Sequence, residues 1–236
     1  MEITSTEKLM PTENIEQPTN TFGGLFDISP WLMFILLNFI YIVSLYVQNT
    51  YILTDEVYYN SLGEQLTTER IKEWLNVQKG YTWIQYASVP VLIIFQTFMV
   101  TMCLNIGALL DDVKVGFGKL FGLVLKASIV FGFGRLLFSI FGLFADITTM
   151  DDIANVNYFS ILSLMGAESL PKWSLYIFQT LNVFEVGFIT LLVLGINKLM
   201  PIPLEKRINF VFLTYGIGLV CWVLLITYLM ISFMPT

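Results

Sequence analysis

The sequence predicts an all-α membrane protein built as a bundle of five transmembrane helices. Of its 236 residues, 56% are hydrophobic and 13% are charged, which lies outside the usual range of soluble domains. Its mean hydropathy is +0.73. It also contains five apolar stretches, each long enough to cross a hydrocarbon core of about 30 Å, which takes about 20 helical residues.

Short polar connectors separate most of the five predicted spans. The spans cover residues 31–47, 83–110, 120–144, 173–196 and 210–233. Their continuous apolar character indicates helices, because a strand of a membrane barrel alternates in polarity over about ten residues. Trp31, Trp83 and Trp173 stand at span boundaries, where amphipathic rings prefer the level of the lipid headgroups. Residues 29–233 are therefore predicted to form one membrane domain.

Residues 1–28 form a polar, acidic N-terminal tail. It lacks the basic region and the cleavage site of a signal peptide, so we expect the first apolar stretch to be a retained anchor. Outside the spans, six Lys and Arg residues lie on the side of the N-terminus and four on the other side. Because basic residues favour the cytoplasm, this bias predicts a cytoplasmic N-terminus and a C-terminus outside.

The segment 48–82 is predicted to be a polar loop outside the cytoplasm that contains one short amphipathic helix. Thr67 and Thr68 resemble a helix start, and Gly80 resembles its end. Three apolar residues share one face of that helix: Ile71, Trp74 and Leu75. This face could lie on the outer leaflet or contact a partner, or it could pack back on the protein's own spans.

Several classes of chemistry are excluded by composition and motif. The chain has no histidine, which excludes Ser-His-Asp and Cys-His nucleophiles and imidazole metal sites. With a net charge of -6 it has no cluster of Lys and Arg for nucleic acid. Asp146, Asp151 and Asp152 lack the ligand spacing of a calcium loop. We therefore expect a protein that is not an enzyme, with no catalytic residue, metal, cofactor or nucleic-acid partner.

Two charged residues lie deep in the predicted spans. Arg135 is about 14 Å inside the outer end of span three, and Glu185 is about 18 Å inside the outer end of span four. Ionised groups at this depth cost at least about 2.5 kcal/mol and usually pair. The sequence predicts a salt bridge between them, with Asn182 as a further hydrogen-bond partner. Either this polar group is a structural ion pair or it is a relay for a proton or substrate.

Four short segments resemble the bacterial branch of the Yip domain family, the relatives of Ypt/Rab-interacting membrane proteins. They are Leu25-Phe-Asp-Ile-Ser-Pro-Trp31, Phe159-Ser-Ile-Leu-Ser-Leu-Met165, Leu181-Asn-Val-Phe-Glu-Val-Gly187 and Leu192-Val-Leu-Gly-Ile196. The resemblance covers residues 25–233 and implies five spans, a cytoplasmic N-terminus and a bacterial inner-membrane location. Asn182 and Gly187 replace the Asp and Trp of the family's fourth-span pattern, so the resemblance does not imply Rab binding.

Three functions are compatible with these features. The first is an accessory or scaffold subunit of a larger envelope complex, such as an exporter, whose partners are lipid and other membrane proteins. The second is a small transporter or channel that uses a midplane site around Arg135 and Glu185. The third is a lipid-handling or membrane-shaping protein. The first is favoured, because aromatic-rich helices with small residues can dock on other membrane helices and little chemistry can be assigned.

Overall fold

The computed structural model describes residues 23–155, 160–161 and 172–233, and within them the chain is helical apart from turns and one bridge between Ser160 and Asn182. The helices are α1 (Gly23–Asp27), α2 (Pro30–Val47), α3 (Asp55–Leu62), α4 (Thr68–Leu110), α5 (Phe117–Ala127), α6 (Ile129–Phe144), α7 (Met150–Asn155), α8 (Lys172–Thr180), α9 (Val183–Leu199), α10 (Leu204–Val211) and α11 (Ile217–Phe233). A π-helical turn, Gln48–Ile52, extends α2, and a second, Phe212–Gly216, joins α10 to α11.

Four helical stretches in the described ranges are long and apolar enough to cross a bilayer. They are Pro30–Ile52, Thr68–Leu110, Phe117–Phe144 and Leu204–Phe233. These stretches contain the predicted spans one, two, three and five. The prediction of an all-α membrane protein is thus confirmed, and the molecule is an integral membrane protein.

The fourth predicted span has a different form. The prediction of one continuous helix over residues 173–196 is wrong, because the chain breaks between α8 and α9 at Leu181 and Asn182. Asn182 caps α9, since its side-chain oxygen accepts a hydrogen bond from the Glu185 backbone N–H at 2.8 Å. The Leu181 carbonyl accepts one from Ile161 N–H at 3.1 Å. With 17 residues, α9 is about 25 Å long, slightly less than the hydrocarbon thickness.

Helix α6 lies between α2 and α9, and glycines make both approaches close. A Cβ atom on Gly132 would lie 3.2 Å from the Leu37 side chain of α2, and one on Gly134 would lie 2.8 Å from the Phe184 ring of α9. Helix α5 leads directly into α6 and shares its central position in the bundle, where it packs against α4 and α9. The main core lies there, and its most buried side chains are Leu104, Leu120, Val124, Phe188, Leu192, Ile196 and Val211.

Helix α4 is a single helix of 43 residues, about 64 Å long. Two predictions for this region are wrong. The helix does not end at Gly80, and residues 48–82 are mostly helical rather than a loop, since they contain a π-helical turn, α3 and the start of α4. A glycine inside a helix costs only about 1 kcal/mol, which packing of the flanking turns against α3 can offset.

The start of α4 packs against α3, which also packs against α7, and we call α3, α7 and residues 68–82 the helical cap. Its centre is formed by Tyr58, Ile71 and Leu75. Ile71 is 1% exposed and Leu75 is 4% exposed, so the face predicted from Ile71, Trp74 and Leu75 is not available to a partner as a whole. It packs on α3, not on the spans. Trp74 remains 45% exposed, with its ring edge-on to Tyr58 at 5.3 Å between centroids.

The Asp152 side chain on α7 fixes the two residues that directly precede this helix. Its carboxylate accepts hydrogen bonds from the backbone N–H groups and hydroxyls of Thr149 and Thr148, at 2.7 to 3.0 Å. These bonds, with the backbone of Thr149 and then of Thr148 contributing most, lower the pKa of Asp152 to about 2. The Thr148 carbonyl in turn accepts from Asn60 of α3 at 3.1 Å, which joins the start of α7 to α3.

The continuity of α4 can be tested at Gly80. Nothing lies within 4 Å of a Cβ atom built there, so Gly80→Ala should raise the free energy of unfolding by about 0.5 to 1 kcal/mol. Ala87→Gly, at an exposed position two turns further along α4, is the matched control and should lower it by a similar amount. Thermal unfolding in mild detergent measures both. A loss of stability in Gly80→Ala would show that the helix ends there.

Candidate intramembrane polar sites

The first polar site is the buried carboxylate of Glu185, which is 8% exposed. It lies between two contacts that join α9 to α6, one from Phe184 to Gly134 and one from Gly187 to Val130. Glu185 lies in the first turn of α9, about 21 Å along the helix from Leu199. Its carboxylate accepts a hydrogen bond from the hydroxyl of Tyr215.

Tyr215 reaches Glu185 from the π-helical turn between α10 and α11. Such a turn inserts one residue into the helix and rotates the following side chains relative to a regular helix. Thr214 bonds back to the Phe210 carbonyl at 2.7 Å within this stretch. The ring of Phe188 stands edge-on to Tyr215 at 5.3 Å and contacts Phe131 at 4.8 Å. The Tyr215 ring, whose hydroxyl bonds to Glu185, is therefore buried against a cluster formed by Phe188 and Phe131.

Asn182 has a different role from the predicted one. It was expected to bond to the carboxylate, but its side chain caps the backbone of α9 at Glu185 N–H. An Asn followed three residues later by a Glu is a common start of a helix, so this role could have been inferred from the sequence. In a capping box the Glu side chain returns to the cap residue, whereas here it bonds to Tyr215.

Arg135 and Glu185 do not form the predicted salt bridge. Among the described residues, the ion pairs join Lys79 to Asp55 and Lys198 to Asp27, both at exposed positions. Arg135 is itself exposed, and its guanidinium carbon lies 5.5 Å from the centre of the Tyr41 ring on α2.

Arg135 and Glu185 do not meet because their side chains point in different directions around the helix axes, and not because they lie at different depths. Helix α6 turns Gly134 toward α9, and the next residue, Arg135, points about 100° away. Helix α9 turns Phe184 toward α6, and its next residue, Glu185, faces Tyr215. The two charges therefore lie at similar depth on different faces.

The sequence prediction missed a polar seam that joins α6, near Arg135, to the end of α2. Ser139 lies one turn further along α6 and donates to the Arg135 carbonyl at 3.1 Å. Gln48 of α2 donates to the Ser139 hydroxyl at 3.4 Å. Ser44 of α2 is fully buried, and its hydroxyl has no hydrogen-bond partner. The spacing of Tyr41, Ser44 and Gln48 places them on one helix face, which is a signal that could have predicted this seam.

This arrangement suits the joining of helices better than chemistry. The Glu185–Tyr215 bond links α9 to the α10–α11 junction, and the seam at Ser139 and Gln48 links α6 to α2. In the described part of the chain, no group of three or more His, Cys, Asp or Glu side chains could hold a metal ion. The fold and these sites define the class of the molecule as an integral membrane protein whose helices are linked by a few internal hydrogen bonds.

No known protein family, characterised protein or solved structure matches this chain. The resemblance to the Yip domain family therefore stays a prediction from the quoted segments.

The bond between Glu185 and Tyr215 should contribute to stability. Tyr215→Phe removes the donor and leaves a buried carboxylate without its partner, so we expect a loss of about 1 to 3 kcal/mol in the free energy of unfolding. Tyr228→Phe is the matched control, because Tyr228 on α11 is 66% exposed and should change little. Thermal unfolding in detergent measures both. Equal effects of the two substitutions would contradict a specific role for the bond.

Proposed function

We propose that the protein works as a non-enzymatic subunit of a larger membrane complex in a bacterial envelope, such as an exporter. The observation that carries this proposal is an exposed apolar row on α4, which we call the α4 stripe. Its members recur at spacings of three, four or seven residues and are all exposed: Trp74, Val77, Tyr81, Ile84, Val91, Phe95, Met102 and Ile106.

The α4 stripe is longer than a bilayer is thick. It runs over 32 residue steps from Trp74 to Ile106, about 48 Å, against a hydrocarbon core of about 30 Å. Lipid tails can cover the part within the span. They cannot cover the end formed by Trp74, Val77 and Tyr81 when α4 stands across the membrane. Contiguous exposed apolar surface of this kind marks interaction sites in proteins, and aromatic residues are enriched at their centres.

The rest of the fold supports the stripe as a docking surface. Ile71 and Leu75 pack against α3 and stiffen the part of α4 that carries the stripe. The α10–α11 junction packs against α4 at Gly107, and the Glu185–Tyr215 bond ties this junction to α9. A rigid helix loses little conformational entropy when a partner binds, which favours a stable complex.

We further propose that α8 and α9 together form a fifth crossing, with the N-terminus in the cytoplasm. Close contacts give the directions of the helices. Gly122 meets Pro30 and Gly142 meets Ile52, so α5–α6 run in the same direction as α2. Cys103 of α4 lies against Gly218, whereas Gly107, one turn further along α4, lies against Thr214, which precedes Gly218 in the chain. Helix α11 therefore runs antiparallel to α4. Alternation of this kind is what five successive crossings require.

The proposed topology places the helical cap outside the cytoplasm and the α9–α10 connection inside it. Lys72→Cys, at an exposed position in the cap, should react with a membrane-impermeant thiol reagent in intact spheroplasts. Lys206→Cys, exposed at the start of α10, should react only after the membrane is permeabilised. Labelling is read by a mass shift. The reverse pattern would place the N-terminus outside.

A small transporter or channel is the second candidate, and one observation favours it. Glu185 lies beside two irregular stretches of backbone, the break at Asn182 and the π-helical turn that carries Tyr215. Interrupted helices near the middle of the membrane are typical of substrate and ion sites in transporters. On this alternative, the purified protein alone would move a solute across liposomes, and Glu185→Gln would abolish the movement.

Site-specific crosslinking tests the subunit proposal. A photoreactive amino acid at Val77, on the α4 stripe, should crosslink one partner of defined mass in native membranes. The same amino acid at Lys72 is the matched control, because Lys72 is exposed at a similar level on another face of α4. Val77→Asp should release that partner while the melting temperature stays the same. Absence of a Val77-specific crosslink, together with solute flux by the purified protein, would replace the proposal with the transporter.

A further inference from the structure

Arg135 is an exposed cation in the interior of the membrane span. Gly122 meets Pro30 at one end of the bundle, and Gly142 meets Ile52 toward the other. By residue number, the Arg135 backbone is about 20 Å from the level of Gly122 and about 10 Å from that of Gly142. Side chains in a helix lean toward its N-terminus, so the guanidinium is directed away from the nearer end. It therefore lies close to the middle of the bilayer.

The described part of the chain supplies no countercharge to Arg135. Its ion pairs lie elsewhere, at Lys79–Asp55 and Lys198–Asp27. The face of the Tyr41 ring attracts the Arg135 cation. However, the guanidinium has five N–H donors, and a ring face cannot accept hydrogen bonds from all of them. An unpaired charge at this depth is costly, and residues of this kind usually face a counterion. A carboxylate matches the planar fork of a guanidinium.

We infer that Arg135 is a docking point for a membrane-embedded helix of a partner, and that this helix carries an Asp or Glu at mid-membrane depth. The inference rests on the proposed function as a bound subunit and names the chemistry by which the partner is recognised. Charge complementarity carries it, because a carboxylate on the partner would offset the cost of an unpaired cation inside the membrane span. The α4 stripe lies on a different helix from Arg135, so docking at the stripe does not depend on the Arg135 contact.

Other sources of the carboxylate or anion fit the structure less well. A second copy of this chain cannot supply it, because the one deep carboxylate among the described residues, Glu185, is buried and bonded to Tyr215. Lipid phosphates lie at the membrane boundary, toward the end of α6 from which the Arg135 side chain leans away. A helix that spans the bilayer can place a carboxylate at any depth.

A synthetic helix serves as the probe. Leucine-rich transmembrane peptides with a central Glu, Gln, Leu or Lys are mixed with the purified full-length protein in phosphatidylcholine bilayers. Association is measured by energy transfer between a dye on the peptide and a dye on the protein N-terminus. We expect the Glu peptide to bind about ten-fold more tightly than the Leu peptide, which is the ratio expected for one polar contact between membrane helices.

Variants at Arg135 test whether this residue causes the preference for the Glu peptide. Arg135→Leu should bind the Glu and Leu peptides equally, Arg135→Lys should keep most of the preference, and Arg135→Glu should prefer the Lys peptide. Because Arg135 is exposed, these variants should fold, and their melting temperatures check this. Lys119→Leu, at an exposed position near the start of α5, is the matched control for the loss of a charge.

Two results would overturn the inference. One is equal binding of the Glu and Leu peptides by the unmodified protein. The other is displacement of the Glu peptide by phosphatidylglycerol in an Arg135-dependent way, which would assign the site to a lipid headgroup. If either result is found and the Val77 crosslink is retained, the subunit proposal stands without the Arg135 contact. Loss of the Val77 crosslink with preference for the Glu peptide retained would instead show that the α4 stripe is not the docking surface.

Discussion

The close approach of α2 and α9 to the two sides of α6 is the constraint on which the arrangement of the bundle depends. A Cβ atom at Gly134 would lie 2.8 Å from the Phe184 ring, and one at Gly142 would lie 2.5 Å from Ile52. A larger residue at either position would force the neighbouring side chain to shift. These contacts fix the rotation of α6 and α9, and the rotation decides that Glu185 faces Tyr215 while Arg135 faces Tyr41.

The irregular stretches of backbone are tolerated because polar groups beside them satisfy the freed donors and acceptors. In lipid, an unsatisfied backbone group costs several kcal/mol, so breaks in a helix survive only where a partner is at hand. At the break before α9, the Asn182 side chain and the Ile161 N–H group form hydrogen bonds with the backbone. At the π-helical turn, the Thr214 hydroxyl does so. Glu185 lies in the first turn of α9, directly after the break, and Tyr215 lies in the π-helical turn. Their hydrogen bond thus links the regions around these two irregular stretches.

The sequence predicted the membrane class well, because the length of an apolar run is a direct consequence of bilayer thickness. It failed on Arg135 and Glu185, since residue counting gives the depth of a side chain but not its direction around the helix axis. It failed at Gly80 for a similar reason, because the packing of α3 that supports α4 comes from residues distant in the sequence.

The helical cap explains why α4 can carry exposed apolar residues beyond the membrane. Ile71 and Leu75 are satisfied inside the cap, so the helix does not need the bilayer surface to bury them. Trp74 and its neighbours on the stripe are left on the opposite side of that support. A partner that contacted both this end of α4 and Arg135 on α6 would be held at two points on different helices. Two such points fix the orientation of a bound helix as well as its position, which a single apolar patch cannot do.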